Sequence, residues 1–328
     1  MTRTFKFAAA LAFFLALGIT LSGCYVDMGP SVSGSFDRSL DVSSPLQLEL
    51  SNVSGDVTIS GAADGKVHVH GDVRVSGFGD RQQRLNDILA NPPLELKGST
   101  LRIGKDMTRL RHVSISYTVE VPRDTSVNSS SVSGSQSVRD LRGPIELETV
   151  SGSLSAQNVG RDTRLSSTSG SVNVDNCSDD VRATSVSGSV TVTGAKGDVV
   201  AHSTSGSVTV HNPGGRVDAD SSSGTVEIRG ANADVKAHST SGGVVIGGNP
   251  SGNSYWDLKT VSGSVNISVP SDANFHLSSS ALSGQIRTQI PIIIEEQGKH
   301  SLRARMGSGT GRVEVHTISG SIELDGAS

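Results

Sequence analysis

Three side chains that recur at one interval could together bind a metal ion. His202, Asp220 and His238 are spaced by 18 residues. Imidazole nitrogens and carboxylate oxygens are common ligands of Zn²⁺ and other transition metals. If the three positions stack on neighbouring strands about 4.8 Å apart, they form a candidate metal site. The alternative is an exposed ladder of alternating charge. We favour the ladder and predict no cofactor, because neither a further ligand nor a supporting second shell is evident.

An aromatic pair is a second candidate for binding. Tyr255 and Trp256 lie in NPSGNSYWDL, where the interval between equivalent residues lengthens to 21. Exposed aromatic rings on a loop can bind a sugar or a protein partner. Packing of the two rings over the edge of the fold is the alternative, and we favour it.

The many serines do not predict catalysis. No G-x-S-x-G motif occurs, and the repeated Ser-Gly pairs precede strands, whereas a nucleophile elbow requires a strand-to-helix turn. We expect these serines to form a ladder in which each hydroxyl bonds backbone at the same corner of successive turns. We therefore predict no catalytic residue and no enzymatic activity. A carbohydrate-active enzyme is the less favoured alternative, with Asp218 and Asp220 as its nearest approach to an acidic cluster.

The N-terminus has the pattern of an export signal. A basic start, MTRTFK, precedes the apolar run FAAALAFFLALGI, which at residues 7–19 is too short to span a bilayer. The following LSGC resembles the lipobox of bacterial lipoproteins, which implies that Cys24 is lipidated and becomes the first mature residue. We predict a signal peptide over 1–23 and a lipid-anchored linker over 24–39. Tyr25 directly follows the cysteine, which favours the outer membrane as the destination of the protein. Whether the protein faces the periplasm or the surface is left open.

Charge and cysteine content exclude some classes of protein. The formal net charge is −4 and no basic block follows the leader, so a nucleic-acid partner is not predicted. The two cysteines are Cys24 and Cys177, so a lipidated Cys24 leaves no internal disulfide pair. Stability must then come from the fold itself.

A period of 18 residues organises the chain. Ser-Gly pairs recur at this interval at Gly134, Gly152, Gly170, Gly188, Gly206, Gly224 and Gly242. After each pair, apolar residues such as Val208 and Val210 alternate with polar ones, which is typical of a strand with one buried face. A second short strand follows in each repeat. We predict an all-β fold, a parallel β-solenoid with 18-residue turns and two short strands per turn. A meander of antiparallel strands is the alternative.

The period also divides the predicted solenoid, residues 40–328, into three parts. Residues 40–132 are irregular N-terminal turns that include a short helix over 81–90. Residues 133–261 are the regular repeats. Residues 262–328 are longer turns and a C-terminal cap, with the pattern broken at 288–309.

Three strings carry a resemblance to a known family: SYTVEVP (116–122), the repeated T/V-S-G-S-V-x-V, and GSGTGRVEVHTISGSIEL (307–324). The chain resembles a bacterial β-strand-repeat family of unknown function whose members are labelled adhesins. The resemblance implies an exported β-helical domain and supplies no catalytic residues. We expect a lipid-anchored binding or scaffold surface of the cell envelope, with the membrane and an envelope protein or glycan as partners. An accessory protein of an envelope sensor is the alternative.

Overall fold

The structure is a computed structural model and describes residues 31–63, 65–77, 79–104, 112–250 and 252–326. The predicted signal peptide and Cys24 lie outside the described residues. Within these ranges, no helix combines the length and the hydropathy needed to cross a membrane. Much of the predicted linker that is described belongs to a strand, Val32–Asp41, which pairs with Lys66–Val75.

The described chain is nearly all β-structure, and its elements fall into three groups. The N-terminal elements are β1 (Val32–Asp41), β2 (Gln47–Ser54), β3 (Val57–Ala62), β4 (Lys66–Val75), α1 (Arg81–Ala90), β5 (Leu94–Lys97), β6 (Thr100–Ile103) and β7 (Val113–Pro122). The repeats contain β8 (Ser126–Ser133), β9 (Gln136–Arg139), β10 (Ile145–Ser151), β11 (Leu154–Val159), β12 (Thr163–Ser169), β13 (Val172–Cys177), β14 (Val181–Ser185), β15 (Val190–Thr193), β16 (Val199–Ser203), β17 (Val208–His211), β18 (Val217–Ser221), β19 (Val226–Ala231), β20 (Val235–Ser239), β21 (Val244–Gly248), β22 (Tyr255–Thr260) and β23 (Val265–Val269). The C-terminal elements are β24 (Phe275–Ser283), β25 (Ile286–Thr288), β26 (Ile293–Gln297), β27 (Ser301–Met306), β28 (Gly311–Ser319) and β29 (Ile322–Gly326).

The repeats form a parallel β-solenoid. Each turn contributes one strand to a 14-stranded sheet, called sheet A, and one to a 15-stranded sheet, called sheet B. In sheet B, β16 pairs in parallel with β18, and Val199 lies beside Val217, one period later. In sheet A, β17 pairs in parallel with β19 in the same register. The predicted fold class is confirmed, and the antiparallel alternative is wrong for the repeats.

The core is the thin layer between the two sheets. Val199 and Ala201 point inward from sheet B, and Val208 and Val210 point inward from sheet A; each is at most 1% exposed. Burying a valine side chain contributes roughly 1.5–3 kcal/mol. Because the same inward positions recur from turn to turn, small apolar side chains, mostly valine and alanine, fill the interior of the regular repeats.

In four consecutive turns of the repeats, a buried serine hydroxyl ties the turn to the one before it. Ser203 donates a hydrogen bond to the carbonyl oxygen of Gly188 (2.8 Å) and accepts one from the amide of Gly206 (2.9 Å). The same pair of bonds recurs at Ser185, Ser221 and Ser239. The expected serine ladder exists, but in the column three residues before each glycine. The serine of the Ser-Gly pair, such as Ser205, is exposed.

Glycine is required at this corner because successive turns approach closely. A Cβ placed on Gly206 would collide with the carbonyl oxygen of Gly188, and one on Gly188 with that of Gly170. At another corner the backbone must adopt a left-handed conformation. Asn176 (φ 57°) and Gly194 (φ 68°), which are one period apart, both adopt it.

The turns do not stack in chain order at either end. Strand β28 lies between β22 and β24, and β29 lies between β23 and β25, so the last turn is an inner layer. Near the N-terminus, β2 lies between β6 and β8, and β3 between β7 and β9. Chain order and stacking order therefore agree for the repeats, β8–β23, while both ends are rearranged.

Antiparallel strands complete both sheets. In sheet A, β4 pairs with β7 and β1 with β4. The predicted helix is α1, capped by Asp80, whose carboxylate accepts from the amide of Gln83 (3.1 Å), and its Leu85 is buried. In sheet B, β27 pairs with β24 and β26 with β27, so part of the segment predicted to cap the stack lies at the sheet edge.

Candidate functional site: a groove along sheet B

A groove of about 1020 Å³ runs along the outer face of sheet B. It crosses eight strands in the order β12, β14, β16, β18, β20, β22, β28 and β24. With neighbouring strands about 4.8 Å apart, the groove is roughly 34 Å long. It is therefore long enough for an extended chain.

Two rows of side chains line the groove. The floor row holds the outward-facing residues four positions before each glycine: Ser166, Thr184, His202, Asp220, His238, Lys259, His316 and Ser280. The corner row holds the residues two positions before each glycine: Thr168, Val186, Thr204, Ser222, Thr240, Val261, Ile318 and Leu282. Each row contains one residue per turn, in stacking order.

The predicted column of His202, Asp220 and His238 lies in the floor row. Nδ1 of His202 is 3.2 Å from Oδ2 of Asp220, and Nδ1 of His238 is 3.5 Å from Oδ1 of the same carboxylate. Nε2 of His238 lies 3.3 Å from Oδ2 of Asp257. The two imidazoles thus contact opposite oxygens of Asp220.

Further charged side chains lie beside this column and form ion pairs with it and with each other. Nζ of Lys236 lies 3.2 Å from Asp218 and 3.6 Å from Asp220, and Nζ of Lys259 lies 2.7 Å from Asp257. Burial opposes ionisation of Asp220, but the hydrogen bond from His202 and the nearby positive charges outweigh it and lower the pKa of this carboxyl. Burial also opposes ionisation of Asp257, but hydrogen bonds from Lys259 and His238 and their positive charge lower its pKa. Both carboxylates are therefore anionic at neutral pH.

The residues best placed to hold a metal differ by one from the predicted set. One ligand atom each from His202, Asp218 and Asp220 lie within 4.8 Å of one another, and all three side chains are half-buried. Asp218 precedes Asp220 by two residues and so lies on the same face of β18. The alternation of residues in the sequence could have identified it.

The aromatic pair is divided between the core and the surface. Trp256 is 0% exposed, and its indole nitrogen donates to the carbonyl oxygen of Ala233 (2.9 Å). Tyr255 is 39% exposed, and its hydroxyl donates to Glu314 (2.7 Å). This hydrogen bond, together with burial and negative charge nearby, raises the pKa of Tyr255 to about 12. The candidate binding pair is thus reduced to one accessible ring, and both residues begin a strand.

Apolar side chains project into one end of the groove. Val261, Ile318 and Leu282 occupy three adjacent turns of the corner row and are 42%, 50% and 68% exposed. Beside them, the hydroxyl of Ser280 lies 2.7 Å from Nδ1 of His316. The groove is therefore apolar along one side of this end and charged near His202 and Asp220.

Two floor-row residues were missed in the sequence. Lys259 and His316 both stand four positions before a glycine, as His238 does, so alignment on the glycines could have found them. Their positions side by side on neighbouring strands could not be found, since these depend on β28 pairing with β22 rather than with a strand near it in sequence.

The fold and its repeats match a known family. The model of the Toastrack DUF4097 family matches residues 47–253, more than half of the chain. The chain belongs to this family. Toastrack DUF4097 is a domain of unknown function, as the sequence resemblance implied.

Two solved structures also align with this Toastrack chain. A putative adhesin from Bacteroides fragilis is 14% identical, with a TM-score of 0.35 over 90% of this chain and 97% of that one. A putative cell adhesion protein from Clostridium sporogenes is 9% identical, with a TM-score of 0.21 over 91% and 100%. No curated protein matches the sequence.

Proposed function

We propose that this protein is a lipid-anchored binding protein of the cell envelope, and that the groove along sheet B binds an extended polypeptide segment. The observation that carries the proposal is the groove itself, about 1020 Å³ and continuous over eight strands. Pockets of this volume are typical of ligand sites in proteins. Its two rows repeat at each turn, and such repetition suits a chain-like ligand.

The lining favours a polypeptide over a glycan. At one end Val261, Ile318 and Leu282 offer apolar side chains, and elsewhere Asp220 and Lys259 offer charges of both signs. A polypeptide presents apolar and charged side chains in one strand. Sugars commonly stack on aromatic rings, and among the lining residues that the structure describes there is no Phe, Tyr or Trp.

The anchor is supported by the N-terminal pattern alone. LSGC follows an apolar run of 13 residues, the arrangement of a lipoprotein signal. We expect the wild type to fractionate with membranes and the Cys24→Ala variant to be released or to retain its leader. Metabolic labelling with a fatty acid tests this, and equal labelling of both forms would contradict lipidation.

Peptide binding is tested with a phage-displayed library of random 12-residue peptides selected on the purified protein. Dissociation constants of the selected peptides are then measured by fluorescence polarisation. Ile318→Ser should weaken binding by roughly 10-fold or more, since burying an isoleucine contributes about 1.5–3 kcal/mol.

Val150→Ser is the matched control. Val150 occupies the same repeat position as Ile318 and is similarly exposed, at 53%, but lies on a turn outside the groove lining. It should leave binding unchanged. Equal losses in the two variants, no selected peptide, or binding to a panel of soluble polysaccharides instead would overturn the proposal.

A further inference from the structure

We propose that His202, Asp218 and Asp220 form a site for one divalent transition-metal ion of the Zn²⁺ class at the floor row of the groove. Their ligand atoms lie within 4.8 Å of one another. One imidazole and two carboxylates are a donor set that Zn²⁺ accepts, whereas Ca²⁺ and Mg²⁺ prefer oxygen ligands alone. The inference does not depend on what the groove binds.

The backbone fixes the arrangement. Parallel pairing of β16 with β18 places His202 directly beside Asp220, and Asp218 follows on the same face of β18. Donor atoms around a tetrahedral Zn²⁺ with bonds of about 2.1 Å lie roughly 3.4 Å apart. The 3.2 Å between Nδ1 of His202 and Oδ2 of Asp220 is already close to this value, and an oxygen of Asp218 lies within 4.8 Å of a ligand atom of each of these residues.

A positive group already occupies the neighbourhood of the two carboxylates. Nζ of Lys236 contacts both Asp218 and Asp220, at 3.2 and 3.6 Å. An ammonium and a metal ion compete for the same carboxylate oxygens. Metal binding must therefore displace Lys236, and removing its charge should strengthen binding.

The surroundings also suit a site that exchanges its ion with solvent. The side chains of His202, Asp218 and Asp220 are 35%, 38% and 33% exposed, so an ion can reach them. His238 contacts the oxygen of Asp220 that faces away from His202 and holds the carboxylate in place. Three protein ligands leave a fourth tetrahedral position to water.

The test is a titration of the purified full-length protein with Zn²⁺ in isothermal calorimetry. Co²⁺ is added in parallel to read the coordination number from its visible absorption. We expect one saturable site in the wild type. In His202→Ala and Asp218→Asn the dissociation constant for Zn²⁺ should be at least 10-fold larger. Lys236→Met should bind Zn²⁺ more tightly than the wild type, because the competing ammonium group is removed. Circular dichroism establishes that each variant is folded.

His211→Ala is the matched control, since His211 belongs to the next strand in the chain but lies on sheet A. It should leave Zn²⁺ affinity unchanged. Absence of saturable binding by the folded wild type overturns the site. So does an equal loss in the His202 and His211 variants, or weaker binding by Lys236→Met. Because no peptide is present, these outcomes are separate from those of the groove experiment.

Discussion

At the scale of the residue, the buried serines differ sharply from the exposed serines two positions later. Ser203 is 6% exposed and bridges two turns, donating to Gly188 and accepting from Gly206. Ser205, in the Ser-Gly pair itself, is exposed. The two serines look interchangeable in the sequence, but we expect their contributions to the free energy of unfolding to differ.

Replacing Ser203 by alanine leaves the part-buried amide of Gly206 and carbonyl of Gly188 without their shared partner. We expect Ser203→Ala to lower the free energy of unfolding by about 1–3 kcal/mol. Ser205→Ala, the control, should stay within about 0.5 kcal/mol of the wild type. Urea denaturation followed by circular dichroism measures both, and equal effects would show that the bridge does not stabilise the fold.

A second residue-scale prediction concerns His70 on β4. Its Nδ1 lies 2.7 Å from Asp37 of β1, and its Nε2 lies 3.4 Å from Asp72. The hydrogen bond with Asp37 outweighs burial and raises the pKa of His70 above 6.5. A raised pKa in the folded state stabilises it fully below pH 6.5, and the stabilisation is lost as pH rises through the folded value.

We therefore expect the β1–β4 pairing to weaken as pH rises above 6.5. Asp37→Asn should lower the pKa of His70 toward its ordinary value, as followed by NMR titration of the imidazole. Asp41→Asn is the control, because Asp41 pairs with Lys66 at the end of the same strand. An unchanged His70 titration in Asp37→Asn would rule out the proposed cause.

At the scale of the element, the strands near the C-terminus differ in how many neighbours they have. Strand β28 is hydrogen-bonded to β22 on one edge and to β24 on the other, although it follows both strands in the sequence. Strand β26 ends sheet B, and the five residues Ile293–Gln297 are all exposed. Protection from solvent should therefore follow position in the stack and not position in the sequence.

Hydrogen exchange measured by mass spectrometry tests this. Amides of β28 should exchange two or more orders of magnitude more slowly than those of β26, because opening β28 breaks two ladders in the middle of a sheet. Strand β20, inside the repeats, is the reference and should resemble β28. If β28 exchanges as fast as β26, the inserted position of the last turn is wrong.

The same strands indicate how much could be predicted from the sequence. Alternation at Val208 and Val210 predicts strands, and the constant period predicts a parallel stack, because every turn repeats one pattern. Stacking order at the ends could not be predicted, since Gly320 occupies the same column wherever its turn inserts. Within the site, the neighbours His202 and Asp220 were predicted because their turns are consecutive, whereas the neighbours Lys259 and His316 were not.

At the scale of the whole molecule, the solenoid presents one face as a continuous surface. The floor row and the corner row run across eight turns. The backbone repeats from turn to turn, and only the side chains in the two rows differ. A substitution at one turn therefore alters one step of the groove and leaves the others in place. This separation allows a charged middle section near Asp220 and an apolar end near Leu282 to share one scaffold.

The insertion of the last turn also bears on how the molecule is made. Residues 311–326 are synthesised after β22, β23, β24 and β25, yet their strands lie between these earlier strands. Pairing across such sequence separations is slow, because long loops must close first. Sheet assembly cannot therefore finish in the order of synthesis. The layers built by β22 and β24 must wait for β28, so a nascent molecule keeps the facing edges of these two strands open until residues 311–319 have been made.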